Sequence, residues 1–175
     1  PLPFPTLSLD RGWAMRLTME HLYSLGHRRF ALFGFDARVP YADARIAGVR
    51  AEAERRGLSM ENAFRIVAGT VNVLRQDYQA GWELAEEFLR EPGRATAIFA
   101  LNDRVALGAI KHLREAGFRV PRDFSVVGFD NLDVTAFCHP TLTTIDQQVE
   151  RMMSRAAELL LSRTGEAAEA PPAST

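Results

Sequence analysis

The feature that most constrains the fold of this chain is a repeated switch in its apolar periodicity. Short apolar runs of strand length alternate with longer stretches whose apolar positions recur at helical spacing. The strand-like runs are Leu7–Leu9, Phe30–Gly34, Phe64–Ala68, Ala97–Ala100 and Phe124–Phe129. Between them, Asp10 stands where a helix N-cap belongs, and Ala14, Leu17, His21, Leu22 and Leu25 then line one face before Gly26. Further helices are expected over Asp43–Arg56, ended by Gly57, over Tyr78–Arg90, stopped by Pro92 and Gly93, and over Asp103–Ala116, with Gly117 behind it. Gln147–Ser162 reads as the last helix, and the small polar residues from Thr164 to Thr175 read as a disordered tail. No internal repeat is evident. Strands separated by helices in this way form right-handed βαβ units, so the fold class is α/β: a parallel sheet with helices on both faces.

The 175 residues suffice for one full domain without staples. Lys and Arg total 21 against 22 Asp and Glu, a formal charge of -1, so the chain carries no electrostatic footprint for nucleic acid or an anionic membrane. Any DNA contact must come from outside these residues. The single cysteine, Cys138, can close no intramolecular disulfide and build no cysteine-based zinc site. No apolar run approaches the roughly 18 residues of a membrane span, and Pro1–Thr6 lacks the regions of a signal peptide. A soluble, cytoplasmic protein with no membrane partner is the expectation. The Pro-rich opening at Pro1 suggests a piece cut from a longer chain.

Motifs for phosphate cradles, dinucleotide turns and nucleophile elbows are absent. His21, His27, His112 and His139 lack metal or hydrolase spacing, and no closely spaced carboxylate pair stands in an apolar setting. An enzyme is not supported, and neither metal nor cofactor is expected. Open parallel sheets bind ligands outside the carboxyl ends of their strands. There the sequence offers Phe35 and Asp36, Asn102 and Asp103, and Asp130 and Asn131, with Arg45 in Asp43-Ala44-Arg45-Ile46-Ala47-Gly48 at the start of a helix. The fork of Arg45, the amide of Asn102 and the carboxylate of Asp130 present paired donors or acceptors in fixed planes, suited to vicinal hydroxyls or a purine edge. Taken singly, each has a plainer role: Asn102 or Asp103 as an N-cap, Asp130 as a turn former, Arg45 as a solvated helix charge.

Five segments, in order, carry a family resemblance. They are His21-Leu22 to Gly26-His27-Arg28-Arg29, Asp43 to Gly48, Asn102-Asp103-Arg104-Val105-Ala106-Leu107-Gly108-Ala109, Val120-Pro121 through Val126-Val127-Gly128-Phe129-Asp130, and Pro140-Thr141-Leu142-Thr143-Thr144-Ile145-Asp146-Gln147. Together they resemble the effector-binding region of the lactose-repressor (LacI/GalR) family, across residues 7 to 162. The resemblance implies a periplasmic-binding-protein type I-like architecture, with a Rossmann-like lobe and a ligand between two lobes, preceded by a helix-turn-helix that binds DNA as a dimer. It assigns 1–25 to the amino-side lobe, 26–142 to the carboxyl-side lobe and the helix in 143–163 to the amino-side lobe, with 164–175 as tail and the DNA-binding headpiece missing. Effector contact falls on Arg45, Asn102 and Asp130. Where the family often supplies a pocket aromatic, this chain reads Arg75-Gln76-Asp77-Tyr78, so either Gln76 or Tyr78 faces the ligand. Trp13, Phe35 and Tyr41 are further candidates, since an aromatic plate stacks on a sugar ring or a base.

Association has its own signal. Val105, Ala106, Leu107, Ala109, Ile110 and Leu113 cover more than one face of their helix, so its second side must meet either a neighbouring helix or a twofold partner. The resemblance favours the partner, with Leu107, Ile110, Phe137 and Cys138 at the interface of a homodimer. The combined reading is the effector-binding and dimerisation region of a transcriptional regulator that senses a small polar ligand, a sugar ahead of a purine, and alters DNA binding by the missing headpiece. The alternative is a periplasmic sugar-binding protein of a transporter; the Pro-x-Leu-Thr-Thr-Ile stretch favours the regulator.

Overall fold

The computed structural model describes residues 7–36, 38–39, 42–68 and 77–168, with the backbone alone over 163–168. The chain divides into two compact units, Asp10–Ile145 and a smaller one of Pro1–Leu9 with Asp146–Thr175. The larger unit contains α1 (Arg11–Ser24), β1 (Phe30–Phe33), α2 (Ala42–Arg55), α3 (Met60–Ala63), β2 (Phe64–Val67), α4 (Tyr78–Arg90), β3 (Ala97–Ala100), α5 (Asp103–Glu115), β4 (Ser125–Val127) and α6 (Val134–Phe137). The smaller contains α7 (Val149–Ala168).

The four strands form one parallel sheet in the order β2-β1-β3-β4, with Phe30 opposite Phe64 on one side and Ala97 on the other. The chain adds β2 to one side of β1, then crosses back to add β3 and β4 to the other. The order therefore reverses between β1 and β3, and the carboxyl ends of these two strands flank the switch point where such sheets hold ligands.

Strand alternation splits the apolar residues between two layers. Ala31, Phe33, Ile98, Ala100 and Val126 share a core with Leu84, Ala85 and Phe88 of α4 and Val105, Ala109 and Leu113 of α5. The alternate residues Phe30, Leu32 and Phe99 are also fully buried, Phe30 stacking on Phe64 at 5.0 Å and meeting Phe99 edge-on at 5.6 Å. That is the side of α1 and α2, which bury Met15, Met19, Leu22, Val49 and Ala53. Each fully buried phenylalanine contributes roughly 1.5–3 kcal/mol. Burial on both faces is why the strands read as nearly unbroken apolar runs. At the amino ends of the strands, His27 joins β3 and β4, its Nδ1 lying 2.8 Å from Thr96 Oγ1 and its Nε2 3.0 Å from Ser125 Oγ. Burial, then the nearby charges of Arg28 and His21, lowers its pKa and favours the neutral ring.

The α/β class and the parallel sheet agree with the sequence reading, and Tyr78–Arg90 and Ala97–Ala100 fall where expected. Other expectations need correction. Leu7–Leu9 forms no strand, because the described residues of its unit offer only helix α7 and no strand to pair with. α1 buries Ala14, Met15, Thr18, Met19 and Leu22, while His21 and Leu25 are exposed and Leu17 is half-buried. α1, in the stretch 1–25 that the resemblance assigns to the amino-side lobe, packs along α2 within Asp10–Ile145, in a crossing so close that a Cβ at Gly48 would stand 2.7 Å from Gly12 Cα. The strand expected over Phe124–Phe129 is limited to Ser125–Val127, since Gly128 N–H turns to the Thr143 carbonyl and the Phe129 carbonyl accepts from Asp103 N–H. α7 extends through Thr164–Ala168, where Glu166, Ala167 and Ala168 are strong helix formers, so that part of the expected tail is helical; residues 169–175 lie outside the described residues.

The second apolar side of α5 meets α4, and the two backbones touch: a Cβ at Gly108 would stand 1.8 Å from the Tyr78 carbonyl oxygen. A methyl group there must push the helices apart. Gly108→Ala is therefore expected to lower the unfolding free energy by about 2–3 kcal/mol despite alanine's better helix propensity, as read from urea denaturation.

Candidate functional site

The carboxyl edge of the sheet is assembled by three turns. β1 runs into Gly34-Phe35-Asp36, β3 into Leu101-Asn102 and β4 into Gly128-Phe129-Asp130. α2, the helix after β1, delivers Arg45 to this edge. Arg45 is only 9% exposed; its guanidinium lies 3.7 Å from the centre of the Phe129 ring and its Nη1 donates to the Leu101 carbonyl. The Nε N–H is buried and has no hydrogen-bond partner among the described residues. Burial pushes the Arg45 pKa down to about 10; the negative charge of Asp130 works against that shift and the positive charge of Arg11 adds to it.

Asn102 is the N-cap of α5, its Oδ1 accepting from Val105 N–H at 2.9 Å. The capping role weighed for Asn102 or Asp103 thus belongs to Asn102. The cap uses the side-chain carbonyl and orients the amide group from a buried position. Asp130 adopts φ 125° and Asn131 φ 56°, left-handed conformations that cost a non-glycine residue on the order of 1–3 kcal/mol when strained. The surroundings hold Asp130 there, its N–H donating to the Ile145 carbonyl at 2.9 Å. Arg45, Asn102 and Asp130, chosen from the sequence, therefore gather at one edge: Arg45 touches the residue before Asn102, covers the residue before Asp130 and feels the charge of Asp130 itself.

Asp103 was a cap candidate in the sequence and has a larger role. Fully buried, it accepts from Leu132 N–H at 2.8 Å through Oδ2 and from Thr144 Oγ1 at 2.6 Å through Oδ1, while its own N–H donates to the Phe129 carbonyl. One carboxylate thereby ties the start of α5 to the Asp130 turn and to the Thr143–Ile145 segment. Arg11 also escaped sequence notice. Its only signal was its place beside Gly12, which the α1–α2 crossing brings against α2.

The remaining candidates separate. Trp13 is 49% exposed in the first turn of α1, and Tyr78 is 48% exposed at the start of α4. Phe35 is 2% exposed and packs in the interior, so it offers no open ring face. Tyr41 and Gln76 lie outside the described residues. Asp36 is engaged by Arg38, whose Nε and Nη2 donate at 2.8 and 2.7 Å; these bonds, with one from Arg38 N–H, hold its carboxyl at about 2. Of the interface candidates, Ile110 is buried and Leu107 packs on the α4–α5 core. Cys138 also turns inward, its thiol donating to the Thr135 and Pro140 carbonyls. Phe137 is 88% exposed. A cavity of about 240 Å³ lies along β4, lined by residues including Leu22, Ile110, Val126 and Pro140, and contains none of Arg45, Asn102 or Asp130. Among the described residues no cluster of His, Cys, Asp and Glu is arranged to hold a metal ion, and no helix is long and apolar enough to cross a membrane.

This sheet edge is that of a ligand-binding domain. The periplasmic binding protein-like domain family matches residues 19–175, and the chain belongs to that family, in the form carried by LacI-family regulators. It is 32% identical over 164 residues to the transcriptional repressor CytR of Escherichia coli, covering 93% of this chain and 46% of that protein. It is 33% identical to the repressor PurR of Mannheimia succiniciproducens, covering 84% of this chain and 42% of that one. The chain thus spans less than half the length of these relatives. Among solved structures, a LacI family regulator from Enterococcus faecium with bound ribose matches with TM-score 0.78 and 31% identity over 92% of this chain and 57% of its own. The Lac repressor bound to ONPG matches with TM-score 0.77 and 29% identity over 91% of this chain and 46% of its own.

Asp103 carries the geometry of the edge, so its loss is expected to act on stability first. Asp103→Ala should lower the unfolding free energy by about 3 kcal/mol in urea denaturation, with Asp103→Asn losing less because it keeps one acceptor.

Proposed function

We propose that this chain is the effector-sensing region of a LacI-type transcriptional regulator that binds a small polyhydroxylated ligand, a sugar, at the carboxyl edge of its sheet. The observation that carries the reading is the buried Arg45 guanidinium, seated on Phe129 at the switch point beside Asn102 and Asp130. A guanidinium and an amide donate to ring and hydroxyl oxygens, and a carboxylate accepts from vicinal hydroxyls. These groups are fixed by caps and stacking and include no nucleophile with an adjacent base, which suits recognition without turnover. The ribose and ONPG held by two relatives support a sugar, and the repressor names of the relatives support a regulator over a transport protein. The whole protein would work in the cytoplasm, with DNA bound by a headpiece outside this chain and a ligand biasing a homodimer between two states.

In calorimetric titration of the full-length protein with its sugar effector, Asp130→Ala is expected to weaken binding about ten- to hundredfold. Asn102→Asp retains an oxygen for the α5 cap but replaces the amide donors, and should weaken binding comparably at little cost in melting temperature. Unchanged affinity in both variants would remove the site assignment.

The interface belongs to Phe137 in this reading. An aromatic ring left 88% exposed on α6 is an anchor that a partner covers, and one relative is a dimeric Lac repressor. Phe137→Ser is expected to raise the dimer dissociation constant at least about tenfold in sedimentation equilibrium, against a Phe118→Leu control within the core. A dimer indifferent to the change would place the interface elsewhere.

A further inference from the structure

We propose that the homodimer closes by a reciprocal insertion, in which Phe137 of each protomer enters the cavity along β4 of the other. This rests on the homodimer reading above and names the surface that receives the ring. Phe137 stands on α6, and the turn beneath it is braced. The Thr135 carbonyl accepts from Leu142 N–H at 3.0 Å, the Cys138 thiol donates to the Thr135 and Pro140 carbonyls, and Arg114 donates to the His139 carbonyl. A ring 88% exposed on so fixed a backbone needs little further ordering to be covered.

The cavity of about 240 Å³ is walled by Val126 and Val127 of β4, Ile110 of α5, Leu22 of α1, and Pro140 and Leu142. Among the described residues, no aspartate, glutamate, lysine or arginine lines it. An apolar cavity of roughly 150 Å³ is enough to hold benzene, so a phenylalanine ring fits this one by volume and by polarity. Pro140 and Leu142 follow Phe137 closely in the chain, which puts ring and cavity on one side of the protomer. A twofold interface requires that arrangement, because a single patch must supply both halves of each contact. The apolar patch continues on either side, with Val134 beside the ring 39% exposed and Leu25 at the cavity wall 60% exposed. Charge matches across the same contact. Asp133, exposed and helical in backbone, stands one turn before Phe137 and flanks the ring, while Arg122 is exposed beside Pro121 at the cavity rim. Insertion therefore turns the carboxylate of one protomer toward the guanidinium of the other. An aromatic anchor in an apolar pocket with a charged rim is the arrangement that concentrates binding energy at interfaces.

The test is sedimentation equilibrium of the full-length protein carrying Thr141→Trp, which sets an indole at an exposed position of the cavity wall. The dimer dissociation constant is expected to rise at least about tenfold, as for Phe137→Ser. The two variants are then mixed. The Thr141→Trp protomer keeps its ring and the Phe137→Ser protomer keeps its cavity, so one of the two insertions survives in the mixed dimer. That dimer should form at least about threefold more tightly than either variant dimer, beyond the statistical factor of about two. Recovery of this kind requires both variants to be folded, and circular dichroism verifies each. Thr141→Leu, a smaller filling, is expected to act in the same direction and decides the matter if the indole disturbs the fold. A dimer weakened by Phe137→Ser yet indifferent to filling at Thr141 would overturn the insertion while leaving the interface at Phe137. Two weakened variants whose mixture forms no tighter dimer would overturn it as well. Indifference to every variant would overturn the insertion and the Phe137 interface together.

Discussion

The candidate site depends on one buried carboxylate. Asp103 is fully enclosed, and a carboxylate in that position is tolerable only if its oxygens are saturated with donors. Leu132 N–H and the Thr144 hydroxyl supply them, and in doing so they bring three distant parts of the chain together. The Asp103 N–H then fixes the Phe129 carbonyl, and with it the ring beneath Arg45. The three candidate residues are thus held at second hand. Asn102 is fixed because α5 starts at Asp103, Asp130 because its turn is tied to the same carboxylate, and Arg45 because Phe129 lies under it. A site built this way is preorganised, and little rotamer freedom remains to be lost when a ligand arrives.

Close helix crossings supply the second constraint. Where α4 meets α5 and where α1 meets α2, glycine allows backbone to touch backbone, and the consequences differ on the two faces of the sheet. The α4–α5 crossing is structural. It satisfies the second apolar side of α5 within the chain, which is why Leu107 and Ile110 are spent on the core. The α1–α2 crossing also positions charge, since it sets the first turn of α1 against α2 one turn after Arg45.

Much of this was legible in the sequence, for identifiable reasons. Strands buried on both faces must be apolar throughout, so β1 and β3 announce themselves, and the N-caps Asp10 and Asn102 mark helix starts by a hydrogen bond that few residue types can make. Arg45, Asn102 and Asp130 were readable because a parallel sheet concentrates its ligand chemistry at one edge. Tertiary choices were not readable. Periodicity shows that α5 has two apolar sides but not that Gly108 would admit α4 against one of them. Aromatic type says nothing of burial, so Phe35 in the core and Phe137 in solvent looked equally eligible. Nor does spacing reveal that α1 packs on α2, the contact that brings Arg11 beside Arg45. Leu7–Leu9 shows the limit of local pattern: a strand exists only where a ladder partner does.

The energetics of this edge bear on how a ligand would act. Arg45 sits desolvated enough to lower its pKa to about 10, and Asp130 is held at φ 125°, so two of the three candidate groups are in states that cost free energy. Such costs are tolerated because Asp103 and the surrounding core over-determine the geometry. A ligand that supplies acceptors to Arg45 and donors to Asp130 recovers part of that cost only in the conformation where all three groups converge. Its affinity is therefore differential between conformations of the protein, which is the thermodynamic requirement for shifting a population.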